Sequence, residues 1–351
     1  MNERRPYVLI TGGAGFVGTN LAARFVEEGR RVLVFDSLVR PGVERNLRWL
    51  KAECGHRLDH VLADVRDRDA LRAAVRGAEA VFHLAAQVAV TTSLEAPLED
   101  FDVNAHATLL LLEELRRLPK PPPLLYTSTN KVYGTLPDVR LVREAERWQP
   151  VDRRLGDDGI GEDRPLDFCT PYGCSKGASD QYVLDYAHVY GLPTVVFRMS
   201  CIYGPHQHGN EDQGWVAHFL RAARAGEPVT VYGDGGQVRD ILYVDDLIDA
   251  MVLAEVDIDR IAGTAFNVGG GQTKTVSLLE LIQIIGELEE KPLEPTFAAE
   301  REGDQRWYVS DTSRLRRATG WDPAVGVEEG VAALHEWVLG AARGLSAARA
   351  R

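Results

Sequence analysis

The chain has 351 residues, 45% of them hydrophobic, and a formal net charge of −12. That length and apolar content suffice for a sizeable core in a compact two-part protein, while the acidic balance excludes a nucleic-acid partner, whose phosphates demand a positive face. No apolar run approaches the roughly 20 residues needed to cross a bilayer.

Residues 1–6 lead straight into a strand without a signal-peptide core, so a cytoplasmic protein with no membrane partner is expected. Cys54, Cys169, Cys174 and Cys201 lack metal-site spacing, and free thiols with no metal are the expectation.

In chain order, the apolar run Tyr7-Val8-Leu9-Ile10 meets Thr11-Gly12-Gly13-Ala14-Gly15-Phe16-Val17-Gly18 and then a helical pattern over residues 20–29. Strand, glycines and helix in that order are the context a dinucleotide fingerprint requires. Gly12 permits the tight turn, Gly15 lets backbone approach a pyrophosphate, and Gly18 lets the helix pack on the strand. Phe16 and Val17 stand between these glycines, at a helix N-terminus that faces phosphate charge. A second strand, residues 31–35, ends in Asp36, where an acid accepts hydrogen bonds from a ribose 2′-OH; this favours NAD over NADP, although Arg40 close behind would suit a 2′-phosphate. After a strand over 60–63, Asp64 and Val65 are placed to hold an adenine amine, or Asp64 caps a helix beginning near Asp69. Residues 81–86 read as a strand running into the small segment Leu84-Ala85-Ala86 beneath the cofactor, with His83 as a core histidine.

Beyond a turn at residues 119–123, the strand 124–128 carries Thr129 at its carboxyl end, where ligands bind in open parallel sheets. The loop 134–170 follows, rich in Asp, Arg, Gly and Pro, and long enough to be a lid or binding element. Tyr172 and Lys176 then stand four apart on one helix face. The lysine ammonium is expected to lower the phenol pKa from about 10 toward neutrality, so that the phenolate serves as a general base. A hydroxyl, a phenol and a hydride-carrier site together indicate redox chemistry at a carbinol.

The strand 194–198 and the block 238–268 are expected to share the same sheet. A helix over 214–225, a short strand over 229–232 and helices over 278–288 and 327–339 form a smaller lobe, and the tail after Gly340 frays. The fold class is therefore α/β, a Rossmann-type doubly wound parallel sheet with a smaller C-terminal α/β substrate lobe. Residues 1–199 are the NAD-binding domain, with 238–268 returning to it; 200–237 and 269–351 are the substrate lobe.

Thr-Gly-Gly-x-Gly-Phe-x-Gly, Asp64-Val65, Ser128-Thr129-Asn130-Lys131-Val132-Tyr133-Gly134, Pro171-Tyr172-Gly173-Cys174-Ser175-Lys176 and Tyr232-Gly233-Asp234-Gly235 resemble the extended short-chain dehydrogenase/reductase superfamily of nucleotide-sugar epimerases and dehydratases. With Asp212-Gln213-Gly214-Trp215, they are most similar to its CDP-paratose 2-epimerase (CDP-tyvelose epimerase) branch. The resemblance implies NAD-dependent inversion at C2 of a nucleotide-diphosphate sugar through a 2-keto intermediate with hydride return. Thr129, Tyr172 and Lys176 are then catalytic, and Lys176 also holds the nicotinamide ribose. The alternatives are a 4-epimerase acting on a UDP- or other nucleotide sugar, or a net nucleotide-sugar oxidoreductase or decarboxylase of the same superfamily. A non-catalytic dinucleotide sensor would not need the intact Thr129, Tyr172 and Lys176.

The resemblance places Thr91 and Ser93 on the sugar side, although residues 91–93 also suit a helix N-cap. Asn130 and Lys131 fall in the pocket by position, or else finish the strand and face solvent. Arg239 and Arg301 are assigned to the diphosphate with the 232–235 turn, Arg306 more weakly, and Asp304 to ribose hydroxyls. Where the branch tends to read Arg-His-Ser-Ser-Met-Tyr-Gly-Gly-Arg-Gln, this chain has Arg198-Met199-Ser200-Cys201-Ile202-Tyr203-Gly204-Pro205-His206-Gln207. Cys201 thus enters the substrate site, and His206 and His208 are candidate replacement contacts. A homodimer or higher homo-oligomer is implied, through helices over 101–118 and 172–190.

Overall fold

A seven-stranded parallel sheet organises the computed structural model, which describes residues 6–301 and 303–349. The N-terminal residues 1–5 and Glu302, inside the Arg301–Asp304 motif, lie outside them. The strands are β1 (Tyr7–Thr11), β2 (Val32–Asp36), β3 (Leu58–Leu62), β4 (Ala78–His83), β5 (Leu124–Thr129), β6 (Thr194–Met199) and β7 (Thr264–Val268). Their spatial order is β7-β6-β5-β4-β1-β2-β3. Because the chain winds outward in both directions from β1 and β4, a crevice opens at the carboxyl ends of those two strands. Val8, Leu9 and Ile10 on β1 and Val195, Val196 and Phe197 on β6 are fully buried, as strands covered by helices on both faces must be.

The helix after the glycine turn, α1 (Phe16–Glu27), begins earlier than its apolar pattern over 20–29 suggests. Its first turn lies directly on the turn after β1, where Phe16 and Val17 are only partly buried and line the cleft. A Cβ on Gly18 would stand 2.4 Å from the Gly12 carbonyl oxygen and 2.6 Å from Gly13 Cα, so only glycine fits.

The block 238–268 needs correcting. Only β7 joins the central sheet. The strand Val238–Tyr243 pairs antiparallel with Thr275–Ser277 and parallel with Trp307–Tyr308 and Cys201–Tyr203, in a separate four-stranded sheet. Every residue of that strand is buried, so it reads like a core strand of the main sheet. The next helix, Val244–Val256, does pack back on α1, with Asp249 accepting from Arg24 at 2.8 Å.

The helices Trp215–Ala225, Leu278–Leu288 and Val327–Arg349 enclose the lobe core around the fully buried Leu220, Leu281 and Leu334. The last helix continues through the tail expected to fray. Within 134–170 a hairpin (Leu141–Glu144, Arg147–Pro150) and a helix (Arg153–Asp158) form, so the segment is not a bare loop. It ties the lobe to the sheet: Trp148 N donates to Gly236 O at 2.8 Å, Ile160 N to Val309 O at 2.7 Å, and the Glu162 carboxylate accepts from Asn267 N at 2.7 Å.

The lobe also sends a strap, residues 205–213, across the dinucleotide turn. Asn20 Nδ2 donates to Pro205 O at 3.0 Å, Asn46 Nδ2 to His206 O at 3.1 Å, and Arg40 bonds the Gln213 side chain. Among the described residues no helix is long and apolar enough to cross a membrane.

Candidate active site

The crevice is a continuous cleft. Gly12, Gly15, Phe16 and Val17 line it at the glycine turn, Asp36, Asp64 and Val65 at one end, and Leu84, Ala85, Ala86, Tyr172 and Lys176 at the other. Every residue assigned to the cofactor from sequence is therefore in one place. Gly12 has φ +68°, and a Cβ there would meet Ala85 N at 2.7 Å, so the turn and the β4 loop approach as closely as backbone allows. The Asp36 carboxylate accepts from Ala14 N at 3.0 Å and Leu38 N at 2.8 Å, one per oxygen, leaving lone pairs for a diol. Burial pushes its pKa up, backbone bonds from Leu38, Ala14 and Gly15 and the charge of Arg40 opposing. The Ser128 hydroxyl is buried on the cleft wall without a partner, an acceptor and donor available to a bound amide or alcohol.

Asp64 does not cap the following helix. It pairs with Arg66 at 2.7 Å, and the cap is Asp67, whose carboxylate accepts from Asp69 N and Ala70 N. His83 is a core histidine: Nδ1 meets Thr11 Oγ1 at 2.6 Å and Nε2 meets Thr108 Oγ1 at 3.1 Å, joining β1 to β4, and burial depresses its pKa to about 3.

Tyr172 and Lys176 lie on the helix Thr170–Tyr190, both buried. Thr170 has φ +65°, costly for a β-branched residue, and its hydroxyl accepts from Gly173 N at 3.4 Å at the helix start. Residues 91–93 form no N-cap; they lie inside the short helix Val90–Glu95, where Ser93 Oγ donates to Val90 O at 2.7 Å and accepts from Tyr172 N at 3.2 Å. Thr91 Oγ1 is buried without a partner.

The phenol is not pulled toward neutrality by the lysine. Burial pushes Tyr172 up to about 12, with the Thr129 hydroxyl opposing and Asp100 adding to the rise. Burial likewise brings Lys176 down to about 7, against Asp180 and Asp100. The reason is geometric: Lys176 Nζ donates to Thr127 O at 2.5 Å and lies 4.3 Å above the Tyr126 ring.

Thr129 ends β5, its hydroxyl accepting from Lys131 N at 3.3 Å. Asn130 and Lys131 do not face solvent. They form the helical turn Asn130–Tyr133, and Asn130 Nδ2 donates to Gln305 Oε1 at 3.1 Å while Lys131 Nζ lies 3.4 Å from the same oxygen and 3.8 Å from Asp304. Gln305, fully buried and also donating to Gly134 O at 2.6 Å, has no motif to announce it in the sequence. Arg239 joins this cluster through Asp304 at 2.6 Å, and the Cys201 thiol, raised by burial, feels Arg239 and Lys131.

Arg301 stands elsewhere, 3.8 Å over the Tyr232 ring and 3.3 Å from Asp212. Arg306 pairs with Glu300, and Asp234 of the 232–235 turn accepts from Trp148 Nε1 at 2.9 Å. His206 and His208 belong to the strap: His206 packs at a tilt against Trp49 with ring centroids 4.2 Å apart, and His208 meets Asn46 Oδ1 at 3.1 Å.

A doubly wound sheet with a glycine turn, an acid at the end of β2, a tyrosine and a lysine lining the cleft and a threonine hydroxyl against that tyrosine is the architecture of a dinucleotide-dependent enzyme. Residues 8–269 match the model of the NAD dependent epimerase/dehydratase family. The chain is 40% identical over 337 residues to the CDP-paratose 2-epimerase of Salmonella typhi, covering 94% of this chain and 98% of that one. Among solved structures it resembles the UDP-glucose 4-epimerase of Thermotoga maritima with UDP-glucose (TM-score 0.81, 29% identity, 95% of this chain and 99% of that one). The UDP-glucose 4-epimerase of Thermus thermophilus complexed with NAD is similar (TM-score 0.78, 31% identity, 95% and 99%). The chain belongs to the NAD dependent epimerase/dehydratase family and is an enzyme whose cofactor is NAD.

Proposed function

We propose that this enzyme inverts C2 of a nucleotide-diphosphate sugar of the CDP-paratose type through a 2-keto intermediate. The observation that carries the reading is the 40% identity, along 94% of the chain, to a CDP-paratose 2-epimerase. The buried Asn130 and Gln305 and the half-buried Lys131 beside Thr129 support it, because they offer a polar wall for a sugar next to the phenol.

Tyr172 takes the C2 hydroxyl proton and later returns it, Thr129 hydrogen-bonds the reacting oxygen, and Lys176 would hold the nicotinamide ribose and supply positive charge there. The cleft residues would hold NAD, which would supply a hydride acceptor and donor at C2 and a cationic ring whose charge would oppose the upward push of burial on the phenol. Between the two transfers the keto sugar turns in the pocket. Arg239, Arg301 and Asp304 are assigned to the nucleotide diphosphate; since Asp304 already binds Arg239, a ribose must share that carboxylate.

Incubation with CDP-, UDP-, GDP- and dTDP-sugars, read by NMR, tests the assignment. C2-inverted product without solvent deuterium at C2 is expected; deuterium uptake would mean an enolate route, and C4 inversion would select the second reading, a UDP-glucose-type 4-epimerase, which the solved neighbours favour. Accumulating reduced cofactor would mark a net oxidoreductase.

The exposed Phe101, Val189 and Tyr190 lie within the segments 101–118 and 172–190 proposed to pair in a homodimer. Light scattering showing a monomer would remove that part of the reading.

A further inference from the structure

Beneath the tyrosine helix lies a carboxylate that the proton transfer does not touch. Asp100, in the short helix Pro97–Phe101, is fully buried and directly precedes a π-helical turn, Asp102–His106. Its Oδ2 accepts from the Ser175 hydroxyl at 2.5 Å and its Oδ1 from the Asn104 amide at 3.1 Å. Asn104 also donates to Ser175 Oγ at 3.0 Å and binds the Gln87 backbone, accepting from N at 2.9 Å and donating to O at 3.0 Å. The π turn leaves Asn104 O facing the tyrosine helix, where it accepts from Ser179 Oγ at 2.8 Å. The loop after β4, the π turn and the tyrosine helix therefore meet at one acid.

A buried carboxylate is costly unless a cation compensates it. Around Lys176 stand Asp100, Asp180, the neutral His83 and the rings of Tyr126 and Tyr172; around Asp100 stand Lys176, Tyr172 and the Cys174 thiol. Asp180 is already matched, held through both oxygens by Arg198 at 2.9 Å. The donors that bond Asp100 are neutral. Charge balance thus assigns it to Lys176.

We propose that Asp100 is a positioning residue: it is the buried counter-ion that keeps Lys176 an ammonium, and through Ser175 it fixes the turn that carries Tyr172 and Lys176. The inference rests on the Tyr172 and Lys176 roles given above. A negative charge here raises the pKa of both groups, so removing it lowers both.

The pH dependence of kcat in Asp100→Asn holoenzyme tests this. Both limbs are expected to move toward acid by about one unit, with turnover roughly tenfold lower on the alkaline side, where Lys176 loses its proton. A purely structural role would lower the rate at every pH and leave the limbs in place, and unmoved limbs overturn the proposal. Should Asp100→Asn not fold, Ser175→Ala removes the short bond that holds the charge. It is expected to shift the alkaline limb the same way by less, and a wild-type limb overturns the proposal. Tyr172→Phe separates the two layers. If it keeps turnover, the underlying reading fails; if it is inactive while the Asp100→Asn limbs stay fixed, only the role of Asp100 fails.

Discussion

Arg198→Met is the perturbation whose size the structure fixes best. Arg198 donates to both oxygens of Asp180 at 2.9 Å from Nε and Nη2, and from Nη1 to Tyr133 Oη at 3.1 Å, while Tyr133 Oη donates to Asn267 Oδ1 at 2.8 Å. The side chains of the pair are 5% and 0% exposed, so water cannot replace the lost partner. Methionine fills most of the space but leaves Asp180 charged and buried, with the Gln181 amide as a remaining donor. Breaking one side of such a pair costs about 3–5 kcal/mol, whereas replacing both sides with apolar groups is often neutral. Urea unfolding should show that loss for Arg198→Met and most of it recovered in Asp180→Leu/Arg198→Met. A single-variant loss under about 1 kcal/mol, the range of an exposed pair, would refute the argument. The freed Asp180 charge also raises the Lys176 pKa, so the alkaline limb of turnover should move up, opposite in sign to Asp100→Asn.

Gly18→Ala places a Cβ 2.4 Å from Gly12 O, about 1 Å inside ordinary contact, so α1 must lift off β1 and NAD affinity should fall at least about tenfold by titration calorimetry; wild-type affinity would contradict the packing account. Thr129→Val keeps the shape and removes the hydroxyl that faces the phenol, so kcat should drop roughly 10²-fold. An unchanged kcat would take Thr129 out of the reaction. Arg40→Ala cuts the bond from the dinucleotide loop to Gln213 on the strap, and NAD should dissociate about fivefold faster in a dilution chase, the equivalent of about one hydrogen bond. An unaltered release rate would show that the strap does not retain the cofactor.

The cofactor cleft is legible in the sequence because its determinants are local. Glycine spacing, a terminal acid and small residues after β4 dictate backbone shape within a few positions, and all of them line one cleft. The lobe is harder. Val238–Tyr243 is buried along its whole length, and sequence periodicity cannot tell a central-sheet strand from a strand of a small, fully covered sheet. Gln305 and Asp100 are hidden for a different reason: each is a polar residue whose importance comes from partners 175 and 75 positions away, a relation no local pattern contains. The phenol pKa departs from its expected direction because burial raises it, and helical spacing reveals neither that burial nor that the Lys176 ammonium turns to the Thr127 carbonyl.

The span of residues 205–213 over the mouth of the glycine turn has a bearing on how the enzyme cycles. A molecule that ends each round with its redox partner in the oxidation state it started from has no need to swap it, and nothing is lost by stitching the exit shut. Asn20, Asn46 and Arg40 are such stitches, and all three stand on the side of the central sheet and its glycine turn. On the proposed epimerase reading, sugar nucleotides would then come and go repeatedly past a passenger that stays aboard.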